Sequence, residues 1–85
     1  MHRRRLLERL RRGSLNNVSF ADTRDLVEGL GFRLHRTRGS HHIFVHPEVP
    51  EWLNLQNANG EAKPYQLRQL LQRVRRYALT LEDDE

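Results

Sequence analysis

The chain contains no cysteine among its 85 residues. That excludes a disulfide framework and any thiolate-based zinc site, and it fits a reducing compartment. No apolar run approaches membrane-spanning length, and the basic N-terminal stretch is not followed by a signal-like apolar segment. A chain of this length reads as one small domain with a modest core, which favours a thin layered fold over a deep-cleft enzyme. These absences together predict a soluble, cytoplasmic protein.

What is abundant is arginine. Fifteen Lys and Arg residues face eleven Asp and Glu, for a formal net charge of +4. Arg3, Arg4, Arg5, Arg9, Arg11 and Arg12 crowd the start, whereas Glu82, Asp83, Asp84 and Glu85 close the chain. A body this basic favours a polyanionic partner whose affinity falls as salt rises, although arginines also simply solubilise small domains.

The periodicities predict six elements. Residues 2–12 read as a helix with a narrow stripe, Leu6, Leu7 and Leu10, ended by Gly13-Ser14. A stripe that thin suits an accessory helix, pairing with a second copy as a homodimer, or a helix lying along nucleic acid. Ser19 reads as the N-cap of a second helix over residues 20–30, with Asp22 three residues on and Gly31 just past its end. Residues 32–36 alternate as a strand, with Phe32 and Leu34 on one side and Arg33 and His35 on the other. Thr37-Arg38-Gly39-Ser40 reads as a hairpin turn, and residues 41–46 as a second strand stopped by Pro47. Residues 47–50 then form a loop, and residues 52–56 a short third strand with Leu53 and Leu55 inward. After a polar loop over residues 57–63, Pro64 opens a last helix running to about Leu79, with Leu67, Leu70, Leu71, Val74 and Tyr77 or Ala78 on its apolar side. This order predicts an α+β fold with a three-stranded antiparallel sheet covered by helices on one face. Residues 1–18 would be an accessory helix and linker, 19–81 the body and 82–85 an acidic tail.

The chemistry-bearing stretch is Gly39-Ser40-His41-His42-Ile43-Phe44, with Arg33, Arg36 and Arg38 before it and Lys63 after. Imidazole is the side chain that exchanges protons near neutral pH, and guanidinium groups hold phosphate charge. Phe44 marks the core side of the second strand, and His42 and His46 share that side. His41, Ile43 and Val45 then face outward. The opposite registry would bury Ile43 and Val45 and expose His42. A metal site fits poorly: His41 and His42 point apart, and His42 and His46 stand about 13 Å apart along a strand at about 3.3 Å per residue. Trp52 could stack on a base, but completing the core edge is the preferred reading.

The run Gly31-Phe32-Arg33-Leu34-x-Arg36-x-x-Gly39-Ser40-His41-His42-x-Phe44-x-His46-Pro47 resembles the core of HicA toxins, the RNA-cleaving halves of HicA–HicB toxin–antitoxin pairs. Gln66-Leu67-Arg68-Gln69-Leu70-Leu71 is similar to that family's closing helix, so the likeness spans about residues 22–79. The resemblance implies a fold like the double-stranded RNA-binding domain, metal-independent mRNA cleavage with no cofactor, and inhibition by a HicB-like antitoxin. It places the catalytic histidine at His41 and the turn-shaping pair at Gly39 and Ser40. Arg36, Arg38, Ser40 and Lys63 are then the candidate substrate-binding residues. Two features depart from the family: the first helix is an addition, and residues 57–65 replace its usual basic, glycine-containing loop. Two other readings stay open, a non-catalytic RNA-binding module and a protein-interaction domain using the face of Ile43, Val45 and Trp52.

Overall fold

The computed structural model describes residues 2–81. The tail at residues 82–85 lies outside them. Helices α1 (Arg3–Arg11) and α2 (Phe20–Gly29) are followed by strands β1 (Arg33–Arg38), β2 (His41–His46) and β3 (Val49–Gln56), and then by α3 (Pro64–Arg76). The strands form one antiparallel sheet in the order β1-β2-β3. This is the α+β, dsRBD-like arrangement that the periodicities and the resemblance predicted.

The three helices end alike, and two of the ends are written in the sequence as glycines. In the left-handed position after the last turn stand Gly13 (φ 90°), Gly31 (φ 100°) and Ala78 (φ 52°). Each helix end is closed by a return hydrogen bond, from Ser14 N–H to Arg9 O, Phe32 N–H to Val27 O, and Leu79 N–H to Val74 O. Alanine lacks glycine's freedom there, which is why the expected extension of α3 to Leu79 looked plausible. In fact the chain turns at Ala78 and delivers Leu79 to the core. At the other end of α2, the Ser19 hydroxyl accepts from Asp22 N–H at 3.0 Å, as its position predicted.

Leu6, Leu7 and Leu10 of α1 are buried in the same core as Leu26 and Val27 of α2, Phe44, Leu53 and Leu55 of the sheet, and Leu67, Leu70 and Val74 of α3. Helix α1 packs on α2 and α3. Its thin stripe is thus consumed within this chain. Gly29 of α2 is where α1 comes close: a Cβ there would stand 2.8 Å from Arg3 Cδ. The segment joining α1 to α2 is fastened by backbone bonds to the polar loop, Ala62 N–H to Val18 O at 2.9 Å and Phe20 N–H to Gly60 O at 2.8 Å.

The strands differ from expectation at their ends. Strand β1 runs to Arg38, leaving a two-residue turn at Gly39-Ser40. Strand β3 begins at Val49, three residues before the predicted start. Pro50 is tolerated because β3 is an edge strand, where a missing N–H need not break the ladder. Tyr77, just past α3, donates its hydroxyl to Glu51 at 2.9 and 3.1 Å and so ties the far end of α3 to β3.

Candidate functional site

The histidines of β2 are sorted by the pleat. Phe44 is fully buried and fixes the helix-covered side. On that side His42 packs against the Phe20 ring, with centroids 4.6 Å apart, and its Nδ1–H donates to Ser40 O at 3.1 Å. His46 is held more completely. Its Nε2–H donates to Leu30 O at 3.0 Å, its Nδ1 accepts from Glu48 N–H at 3.0 Å, and its ring meets Phe32 edge-on at 5.0 Å. Both bonds of His46 are satisfied by the neutral ring, so it is a structural staple. His41 is exposed on the opposite, open face. The registry predicted from Phe44 is the observed one.

The arginines reach that face by an irregularity. In register, Arg33 opposes Val45, Leu34 opposes Phe44, Arg36 opposes Ile43 and Arg38 opposes His41. One residue, His35, is extra in β1 between Leu34 and Arg36. Without it strict alternation would send Arg36 and Arg38 to the core side along with Leu34. The bulge shifts the phase by one residue, so Arg33, Arg36 and Arg38 all stand on His41's face. Directly opposed side chains begin about 5 Å apart, so Arg38 is His41's immediate neighbour. The sequence alternation that predicted His41's direction carries no mark of this bulge.

The turn that presents His41 has Gly39 at φ 59° in its first position and Ser40 with negative φ in its second, the pattern of a type II′ hairpin. A Cβ on Gly39 would meet nothing within 4 Å, so backbone conformation alone demands glycine there. Ser40 contributes its carbonyl, which also accepts from Asn57 N–H at 2.8 Å. Lys63 lies outside the sheet, as the N-cap residue of α3, and shares no register with His41. Four predicted positions, Arg36, Arg38, Gly39 and Ser40, therefore gather at His41, and Lys63 stands apart. Gln66, almost fully buried, accepts from Gln56 N–H at 2.7 Å and pins the first turn of α3 behind His41's partner on β3.

Asn54 was missed by sequence reasoning. Its amide lies against His41 Nδ1, with Nδ2 at 3.2 Å and Oδ1 at 3.3 Å. An amide can donate to a bare Nδ1 or accept from a protonated one, so Asn54 can hold the ring in either state and leave Nε2 to solvent. Extending the alternation from β2 to β3 would have found it, because Asn54 sits between the inward Leu53 and Leu55. Trp52 corrects a further expectation. It is 55% exposed on the open face, with its ring 5.0 Å from His35, rather than completing the core. Among the described residues no three His, Asp or Glu side chains converge where they would hold a metal ion, and no helix is long and apolar enough to cross a membrane.

At the margin of the fold, the Tyr77 hydroxyl bond, a backbone N–H and the nearby Arg73 and Arg76 hold the Glu51 carboxyl below the usual carboxylate range. Desolvation and the same bond to Glu51 raise the Tyr77 hydroxyl.

The fold and this face define a small dsRBD-like domain that presents the exposed His41 imidazole among guanidinium groups. Residues 21–75 match the family described as HicA toxin of bacterial toxin-antitoxin, and the chain belongs to that toxin family. No curated protein and no solved structure matches it. The matched span omits α1, which nevertheless supplies three leucines to the core.

Proposed function

We propose that this toxin is a metal-independent endoribonuclease that cuts mRNA, with His41 as its acid–base group. The observation that carries the reading is the meeting of an exposed imidazole, oriented by Asn54, with Arg38 and Arg36 across the strand pair. With Nδ1–H donating to Asn54 Oδ1, the bare Nε2 is the base. It takes the proton of a ribose 2′-hydroxyl, and that oxygen attacks the adjacent phosphorus. The bond to the 5′ oxygen breaks, and that oxygen leaves with a proton returned by the imidazolium or by water. The products are a 2′,3′-cyclic phosphate and a 5′-hydroxyl end. Arg38 and Arg36 hold the non-bridging oxygens as charge builds on them. Lys63, at the positive end of α3, meets the backbone further along. Acid–base help of this kind is worth about 10²–10⁴-fold in rate. A single-histidine site is therefore a slow catalyst that depends on binding.

The partners in this reading are mRNA in the cytoplasm and a HicB-like antitoxin that covers the open face. Purified protein incubated with end-labelled RNA in excess chelator tests it. The expected outcome is cut fragments with cyclic phosphate ends and growth arrest on expression. RNA bound but left whole would favour the non-catalytic RNA-binding module on the same scaffold.

A further inference from the structure

We infer that Trp52 and His35 form a nucleobase-stacking platform on the open face, which docks an unpaired base of the RNA beside the His41 site. The inference rests on the ribonuclease reading and adds the form of its substrate, single-stranded RNA.

Both edge strands are irregular, one on either side of the level of Phe44. Strand β1 carries the extra His35 between the partners of Phe44 and Ile43, and β3 departs from regular pairing between the levels of Phe44 and His46, where Trp52 lies. These two departures bring an imidazole and an indole from opposite edges to within 5.0 Å, tilted by 49°, across the central strand. The pairing leaves Trp52 more than half exposed in a chain with only one tryptophan. A large aromatic face turned to water is costly to leave uncovered, and every base offers a complementary π-face.

The surroundings select nucleic acid as the occupant. Arg33 and Arg36 flank the pair in register, and among the described residues no carboxylate occupies the register positions that share His41's face. A phosphate backbone running over those arginines would carry its bases onto the rings. Along β3, Trp52 lies four residues from Gln56, the partner of His41, or about 13 Å at about 3.3 Å per residue. A base seated on Trp52 is therefore a short span of extended strand away from the bond at His41. A duplex keeps its bases stacked on each other and offers no free face, so the platform discriminates against it.

Because Trp52 is the only indole, its emission reports on the platform directly. The full chain carrying His41→Ala, which leaves RNA uncut, is titrated with an unstructured oligoribonucleotide, the same oligomer with abasic positions, and a duplex of equal charge. Saturable quenching by the first is expected, with about tenfold weaker binding of the abasic oligomer and little quenching by the duplex. By anisotropy of labelled RNA, Trp52→Ala should bind about tenfold more weakly and Trp52→Phe should keep most of the affinity. In the cutting protein, Trp52→Ala should raise KM with little change in kcat. Equal binding of abasic and base-bearing RNA, or equal quenching by duplex, would overturn the platform. So would a Trp52→Ala protein that binds RNA normally but no longer retains a co-expressed antitoxin. Cleavage without quenching removes the platform and spares the nuclease, whereas quenching without cleavage does the reverse.

Discussion

His41 and His42 are neighbours in the chain, yet they lead opposite lives. His42 rests on Phe20 and spends its Nδ1–H on a backbone carbonyl. His41 stands in solvent, touched at Nδ1 by an amide that can serve either protonation state. The same contrast divides the whole molecule at the plane of the sheet. On one side polar groups are fixed by packing and hydrogen bonds. On the other, arginines, an indole and the imidazoles of His35 and His41 are left unburied. Stability is concentrated on the helix side and chemistry on the open side, so mutations should separate the two.

The largest effect belongs to the helix side. Leu10→Ala, in a helix outside the matched family span, should cost about 2–5 kcal/mol, because Leu10 is fully buried. Urea unfolding checks it, and a loss of a few tenths would mean that α1 is dispensable. On the open side, Arg36→Ala with Arg38→Ala should leave the urea midpoint unchanged. It should reduce the salt dependence of RNA binding by a slope of about 0.7 per arginine, the increment expected for single strands. An unchanged slope would place the phosphate path elsewhere.

Two smaller substitutions probe the turns that connect the sides. Gly39→Ala meets no steric obstacle but must adopt φ 59°, and it should destabilise by about 1–2 kcal/mol. Ala78→Gly relieves the same strain at the end of α3 and should stabilise by about 1 kcal/mol.

The least effect is a pH dependence. Glu51's lowered carboxyl contributes stability that is complete above the ordinary carboxylate range and is lost as pH falls through its folded value. Tyr77's raised hydroxyl contributes stability that is complete below its ordinary range and is lost as pH rises through its folded value. Tyr77→Phe should therefore move the acid-unfolding midpoint to higher pH, and an unmoved midpoint would remove Glu51 from the account.

How far the sequence could be read follows the same division. Burial imposes periodicity, so the leucine spacing of α3, the Ser19 cap and the inward run of Phe44, Leu53 and Leu55 were legible. So was His41's direction, because it is the complement of Phe44's. The open face imposes no apolar pattern. A bulge adds one residue, His35, without changing composition, so the alignment of Arg36 and Arg38 with His41 could not be seen. Trp52 was misjudged for the same reason: indole is expected inside, and only strand pairing shows which side it takes. Ala78 hid the end of α3 because alanine is the best helix former and an unusual left-handed cap.

The central claim is that the exposed histidine acts and its packed neighbour supports. The most direct measurement is RNA cleavage per folded molecule for His41→Ala and His42→Ala, each with its own unfolding curve. The account predicts that His41→Ala keeps its stability and loses about 10²–10⁴-fold in rate. His42→Ala should lose stability by about 1–3 kcal/mol and keep its rate in the folded fraction. A folded His41→Ala protein that cuts at the original rate, or a folded His42→Ala protein that cannot cut, would contradict it.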